Sequence, residues 1–203
     1  MDEGADDGVE VRGDEILSDA HYPLRRYTFE YRRRDGSRQT LQREVYFNGP
    51  GAAVLLQDPR RGMVLLTRQF RLPARINGDP PRLVEVCAGM VDPGDDPAET
   101  ARKEAEQETG HRLRDLRKAT AVYMSPGASA EKLHLFVAAY DPTDRAGEGG
   151  GLREEGEDIE LLELPLEEAW RMVLDGRIAD AKTVLLLQHA MLARAGVEVP
   201  GGP

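Results

Sequence analysis

Ala88-Gly89-Met90-Val91-Asp92-Pro93-Gly94-Asp95-Asp96-Pro97-Ala98-Glu99-Thr100-Ala101-Arg102-Lys103-Glu104-Ala105-Glu106-Gln107-Glu108-Thr109-Gly110-His111 is the stretch on which the reading of this chain turns. Aspartate before proline is a helix start, and Gly110 is a C-terminal stop. Between them lie Ala, Glu, Lys and Gln without a glycine, which predicts one helix from about Pro97 to Thr109. Glu104 and Glu108 are four apart, so the helix puts both carboxylates on one face, about 6 Å apart at Cβ. Gln107 lies on the same side. Like charges so placed destabilise a bare helix by about a few tenths of a kcal/mol. A hard divalent cation turns that repulsion into binding, because magnesium takes carboxylate oxygens and keeps waters for exchange with phosphate. The same pair also suits a plain solvated acidic face, and the spacing alone does not choose.

Outward from the helix the pattern is strand-like. Leu83–Ala88 is an apolar run, and the loop after it, through Pro93-Gly94, leads straight into the helix. A backbone carbonyl at such a strand end can join the helix carboxylates around one ion. Upstream, Tyr27, Phe29 and Tyr31 alternate with polar residues. Arg34-Asp35-Gly36-Ser37 offers a hairpin turn, and Leu41 to Phe47 returns. Ala52–Leu56 and Met63–Phe70 form a second pair. Downstream, strands are expected at Ala119–Met124, Lys132–Ala139 and Ile159–Leu164. Two closing helices come after them, Leu166–Leu174 and about Lys182–Ala195. Trp170, spaced with Leu166, Val173 and Leu174, reads as helix core. Strands mixed with three separated helices indicate an α/β or α+β sandwich without internal repeats.

Composition narrows the function classes. The 203 residues carry 37 acidic and 27 basic side chains, for a net charge of −10. That balance opposes a nucleic-acid partner but not a small phosphorylated one, since a bound cation reverses the local field. Cys87 is the single cysteine, so no internal disulfide forms, and its apolar neighbours favour a buried thiol over a nucleophile. The acidic start is no signal peptide, and no apolar window reaches membrane-spanning length, so the expectation is a cytoplasmic protein without a membrane partner. Residues 1–13 read as a disordered acidic tail, 14–48 as a β arm, 49–196 as the main domain and 197–203 as a second tail.

The segment from Gly89 to His111 resembles the Nudix box, G-x5-E-x7-R-E-U-x-E-E-x-G-U with U apolar. Gly89, Glu104, Glu108 and Gly110 match in register. Asp95 replaces the first Glu, Lys103 the Arg, Ala105 the bulky apolar residue, Gln107 the first Glu of the pair, and His111 the last apolar residue. Asp95 and Lys103 can still form the ion pair that braces the helix. Gln107 supplies an oxygen without charge, which weakens occupancy of additional ions. Further segments are similar to the nucleoside-diphosphate-sugar branch of that superfamily, GDP-mannose pyrophosphatases in particular. They are Ile16-Leu17-Ser18-Asp19, Arg43-Glu44-Val45-Tyr46, Arg68-Gln69-Phe70-Arg71, Tyr123-Met124-Ser125-Pro126-Gly127, Gly149 to Glu160, and Asp180 to Leu187.

The resemblance implies a Nudix α/β/α sandwich with a mixed sheet, and an antiparallel N-terminal arm exchanged in a homodimer. It implies hydrolysis of the pyrophosphate of a nucleotide sugar with Mg2+, or Mn2+ in its place. GDP-mannose is the first substrate expected and ADP-ribose the second. It assigns metal binding to the Ala88 carbonyl, Glu104, Glu108 and Glu157. The general base is Glu155 or Glu154, or metal alone activates the water. Substrate contacts fall on His21, Tyr22, Gln42, Arg43, Glu44, Arg71, Ala88, Gly89, Met90 and Glu131, and on Lys182, which reaches the site of a dimer partner. Gln42 stands where the relatives carry lysine. A nucleotide-sugar-binding module with little turnover is the rival of another class, because of Gln107. A hydrolase of dinucleoside polyphosphates or oxidised nucleotides fits the segments outside the box poorly.

Overall fold

The computed structural model describes residues 8–201, with the Glu155 side chain outside that description. Residues 1–7 and 202–203 of the expected tails also lie outside the described residues. The described part divides into two units: residues up to Gly49 with Tyr123–Glu131, and Pro50–Val122 with the residues from Lys132 onward.

The first unit is a three-stranded antiparallel sheet in the order β1-β2-β3, formed by β1 (Val9–Asp19), β2 (Pro23–Arg32) and β3 (Arg38–Tyr46). The strand β1 begins within the stretch expected to be a tail, which corrects the reading of residues 9–13. Acidic composition misled there because the charges are paired along the sheet. Glu30 takes Arg12 and Arg38, each at 3.2 Å, and Arg26 bridges Glu15 and Glu44. The register puts Val9 and Val11 of β1, Phe29 and Tyr31 of β2 and Leu41 of β3 on one face. Val11 is 60% exposed and Val9 43% exposed. The β2–β3 turn falls where Arg34–Ser37 predicts it, with the Asp35 carboxylate accepting from the Ser37 N–H at 2.9 Å. Residues 123–131, expected in the main domain, join this unit through the Tyr46 N–H to the Ala128 carbonyl (2.8 Å) and the Ala130 N–H to the Tyr46 carbonyl (3.0 Å).

The second unit holds a mixed sheet in the order β10-β5-β4-β9-β8, with β6 also on β5 and β7 also on β4. Its strands are β4 (Gly51–Asp58), β5 (Met63–Phe70), β6 (Arg82–Glu85), β7 (Cys87–Met90), β8 (Arg114–Tyr123), β9 (Lys132–Ala139) and β10 (Glu160–Pro165). The β4–β9 pair is parallel, while β4–β5, β5–β6, β4–β7 and β5–β10 are antiparallel. Nearly every residue of β4 is buried, so both faces of the sheet are covered. Ala52, Val54, Leu56, Leu65, Phe136 and Ala138 pack with Ala101 and Ala105 of the helix α2 (Pro97–Glu104) and the turn after it. The intervening residues of β4 face the layer of α3 (Leu166–Leu174) and α4 (Ala181–Arg194), whose Leu186, Leu187 and Ala190 are buried. This is the expected α/β/α sandwich. A short helix α1 (Leu72–Ile76), started by Leu72-Pro73, was not expected. In α3 the buried stripe is Leu166, Ala169 and Met172, so Trp170 is partly buried and Leu174 70% exposed, contrary to the spacing argument.

A break in the sheet sets β7 apart from β6. The run Leu83–Ala88 is not a single strand: β6 pairs with β5, β7 pairs with β4, and Val86 lies between them. The Val86 N–H donates to Thr183 Oγ1 at 2.8 Å, at the start of α4. No described helix is long and apolar enough to cross a membrane.

Candidate active site

The helix α2 starts as the sequence dictates, with the Asp96 side chain accepting from the Ala98 N–H at 2.9 Å and Pro97 in the first turn. Its end departs from expectation. After Glu104 the chain widens into a π turn, Ala105–Thr109, closed by Gly110 in the left-handed region at φ 72°. The reason lies in where the last carbonyls go. The Gln107 carbonyl accepts from the Gly151 N–H at 3.2 Å, and the Glu108 carbonyl from the Gly150 N–H at 2.8 Å. A Cβ on Gly149 would come within 2.8 Å of the Glu108 carbonyl oxygen, so only glycine lets this loop lie on the helix end. Through that contact Glu157 comes within electrostatic reach of Glu108. Glu157 is steadied by the Leu152 N–H, 2.8 Å from its Oε2.

Glu108 is 1% exposed. The Ala88 N–H and the Cys87 thiol lie beside it and favour its charged form, yet its Oε2 has no partner. Burial, added to the charges of Glu104 and Glu157, pushes its pKa up to about 8 against the pull of Cys87 and Ala88. Glu104 lies against the backbone of β7: a methyl placed on Gly89 would overlap its carboxylate. Two strand residues, Ala88 and Gly89, thus touch the two helix glutamates. The expected Asp95–Lys103 brace is not formed; Arg102 pairs with Glu99 at 3.4 Å instead.

A buried carboxylate oxygen with no donor, beside two further carboxylates, either keeps a proton or takes a cation. Among the described residues no three His, Cys, Asp or Glu side chains already close a cage. The acids face one another at electrostatic rather than bridging distance. Magnesium suits such a set, since it keeps several waters and needs few protein ligands.

The Nudix domain model matches residues 47–187, and the model described as GDP-mannose pyrophosphatase NudK N-terminal domain matches residues 8–46. The chain belongs to the Nudix family of pyrophosphohydrolases. It is 48% identical over 185 residues to a GDP-mannose pyrophosphatase of Cronobacter sakazakii, covering 91% of this chain and 95% of the relative. The identity to the GDP-mannose pyrophosphatase of Pectobacterium atrosepticum is 45%, over 91% and 94% of the two chains. A crystal structure described as an ADP compounds hydrolase superposes with a TM-score of 0.69 at 19% identity, over 93% of this chain and 96% of that one, and shows the same fold.

Within the Nudix unit the structure gathers Ala88, Gly89, Glu104, Glu108 and Glu157. Met90 ends β7 opposite Gly51. Glu155 lies in a 3-10 turn, Arg153–Glu155, and its side chain is outside the described residues. Arg71 and Lys182 converge on one buried carboxylate, Glu85. Lys182 Nζ is 2.6 Å from Glu85 and 2.9 Å from Asp180, so its ammonium is engaged within its own chain.

The remaining expected contacts belong to the arm unit. The His21 and Tyr22 rings meet edge to face at 4.3 Å. Gln42 Nε2 donates to Thr28 Oγ1 at 3.1 Å, Arg43 to the Gln42 carbonyl at 2.7 Å, and Glu44 accepts from Arg26 at 3.0 Å. The Glu131 N–H donates to Ser129 Oγ at 3.1 Å.

Sequence reasoning missed two residues. Glu85 is the one acid in an otherwise apolar run, which is the signal that would have found it. Cys87 reads as core, and its thiol also lies beside Glu108. A cavity of about 590 Å3, lined by Arg60, Met63, Val64, Val137, Leu166 and Ala190 among others, lies elsewhere in the Nudix unit and contains none of these carboxylates.

Proposed function

We propose that this protein hydrolyses GDP-mannose to GMP and mannose 1-phosphate with magnesium. The observation that carries the reading is the unpartnered, buried Glu108 oxygen between Glu104 and Glu157. The substrate rests on relatives named for GDP-mannose, 48% and 45% identical over nine-tenths of the chain. Glu104, Glu108, Glu157 and the Ala88 carbonyl would hold the ion. A divalent ion there supplies charge neutralisation on the phosphates and acidifies a water. The chain's own part is to orient and to exclude alternatives. Arg71 grips a phosphate, while Glu154 or Glu155 takes the proton of the attacking water, unless the ion alone would activate it. Ala88, Gly89 and Met90 present strand-end backbone to the substrate. Arg43, Glu44, Gln42, His21, Tyr22 and Glu131 contact nucleoside and sugar, and Lys182, held by Glu85 and Asp180, stays beside Arg71.

The test is a panel of GDP-mannose, GDP-glucose, ADP-ribose and ADP-glucose with Mg2+, read as released monophosphate by chromatography. GDP-mannose is expected to lead in kcat/KM by about tenfold or more. A lead for ADP-ribose, yielding AMP and ribose 5-phosphate, would move the base preference, in keeping with Gln42 replacing lysine. Tight binding without product would favour the binding module that Gln107 suggests.

We further propose that the apolar face of the arm sheet pairs two chains into a homodimer. It rests on Val9, Val11 and Tyr31, exposed together opposite a face of ion pairs. Sedimentation should show a dimer that Val11→Asp shifts toward monomer; an unshifted dimer would assign the interface elsewhere.

A further inference from the structure

Four polar residues of the Nudix unit form one cluster between the end of β5, the end of β6 and the start of α4. Arg71 Nε and Nη2 donate to the two oxygens of Glu85 at 2.7 and 3.0 Å. Lys182 Nζ donates to Glu85 Oε2 at 2.6 Å and to Asp180 at 2.9 Å. Asp180 also caps α4, accepting from the Thr183 N–H at 3.0 Å and from its hydroxyl at 2.5 Å. Burial pushes the Glu85 carboxyl up, and Arg71 and Lys182 outweigh it, holding the group below its ordinary value. Glu85 is thus a carboxylate 2% exposed that serves two cations at once.

The geometry decides what this does for Arg71. A guanidinium is a rigid planar fork with five N–H donors, and Glu85 occupies only its Nε–Nη2 edge. The Nη1 edge remains, and the side chain is 41% exposed. Arg71 also lies within electrostatic reach of Glu108, one of the carboxylates proposed to hold the ion. Its backbone is fixed as well, with the Arg71 N–H donating to the Pro81 carbonyl at 2.7 Å. Without Glu85, Arg71 and Lys182 would repel each other with only Asp180 between them.

We infer that Glu85 is a positioning residue that aims the free edge of Arg71 at a phosphate of the substrate, and holds Lys182 beside it. The inference deepens the proposed function and rests on its placement of Arg71 at a phosphate. Where Arg71 grips a phosphate whose contact is the same before and during reaction, loss of Glu85 should weaken binding more than it slows the chemical step.

The experiment is a double-mutant cycle of Glu85→Gln and Arg71→Ala. It is read by steady-state kinetics on GDP-mannose with Mg2+, and by calorimetric titration of GDP-mannose in EDTA, where turnover plays no part. Each single variant is expected to raise KM and the calorimetric Kd about tenfold, with kcat within about threefold of wild type. The double variant should be no worse than Arg71→Ala. Glu85→Asp keeps the charge and should recover most of the affinity; it also serves if the glutamine variant fails to fold. Multiplicative losses in the double variant would overturn the inference, because Glu85 would then act apart from Arg71. Equal losses in the Asp and Gln variants, tracking their unfolding temperatures, would overturn it as well, leaving a structural role only. An Arg71→Ala variant with unchanged Kd would overturn the phosphate contact itself, and the inference with it. A wild type that binds GDP-mannose without hydrolysing it would instead fail the proposed function, while the Kd cycle still tests Glu85.

Discussion

Glu108→Gln is expected to lower kcat/KM on the nucleotide sugar by about 10³-fold or more, and to make the metal-free protein more stable rather than less. The two effects share one cause. A carboxylate buried with an unpartnered oxygen is costly unless a cation faces it, and the same charge is what recruits the cation. That cause also fixes the sign of the pH dependence. The Glu108 carboxyl is pushed up to about 8, from an ordinary 4.5. Between those values the folded protein keeps a proton that the unfolded chain gives up, so stability falls as pH rises across that window. At pH 8 in EDTA the cost is on the order of 4 kcal/mol, which is roughly 10 °C in unfolding temperature for a domain of this size. Differential scanning calorimetry from pH 5 to 8 should show the decline in wild type and a flatter profile in Glu108→Gln. Added Mg2+ should restore the wild type and not the variant. A wild-type profile as flat as the variant's would remove the case for Glu108 as an uncompensated anion.

Gly89→Ala should cost about 10²-fold or more in kcat with little change in unfolding temperature. The new methyl would overlap the Glu104 carboxylate, which is the far end of a flexible side chain and can swing aside. Swinging aside removes it from the ion it is proposed to hold, so the damage falls on chemistry and spares the fold. Kinetics beside calorimetry check the split. A large drop in stability with kcat preserved would mean that the strand moved and the glutamate stayed.

The sequence made the sheet and most of the helices legible, because local signals there coincide with burial. Met63–Phe70, Lys132–Ala139 and Leu166–Leu174 fall where alternation and apolar runs put them. It failed where partners are distant along the chain. Residues 9–13 look like the end of an acidic tail until Arg12 is seen paired with Glu10 and, across the sheet, with Glu30. The split of Leu83–Ala88 depends on Thr183, 97 residues away, taking the Val86 N–H. The helix glutamates were readable from spacing, but the π turn was not, since it answers to the glycines of a loop some 40 residues on. Glu85 shows the same limit: its composition signal was present, while its role depends on Arg71 and Lys182 meeting there.

The short span from Glu85 to Ala88 has a consequence for substrate choice. One end anchors the guanidinium, the other offers the carbonyl proposed for the ion, and only Val86 and Cys87 lie between them, at most about 10 Å of main chain. As proposed, both ends serve phosphate oxygens and ride on one stretch of main chain tied down by the Val86 N–H. That stretch would select for the phosphates of a substrate and leave the choice of base and sugar to other residues.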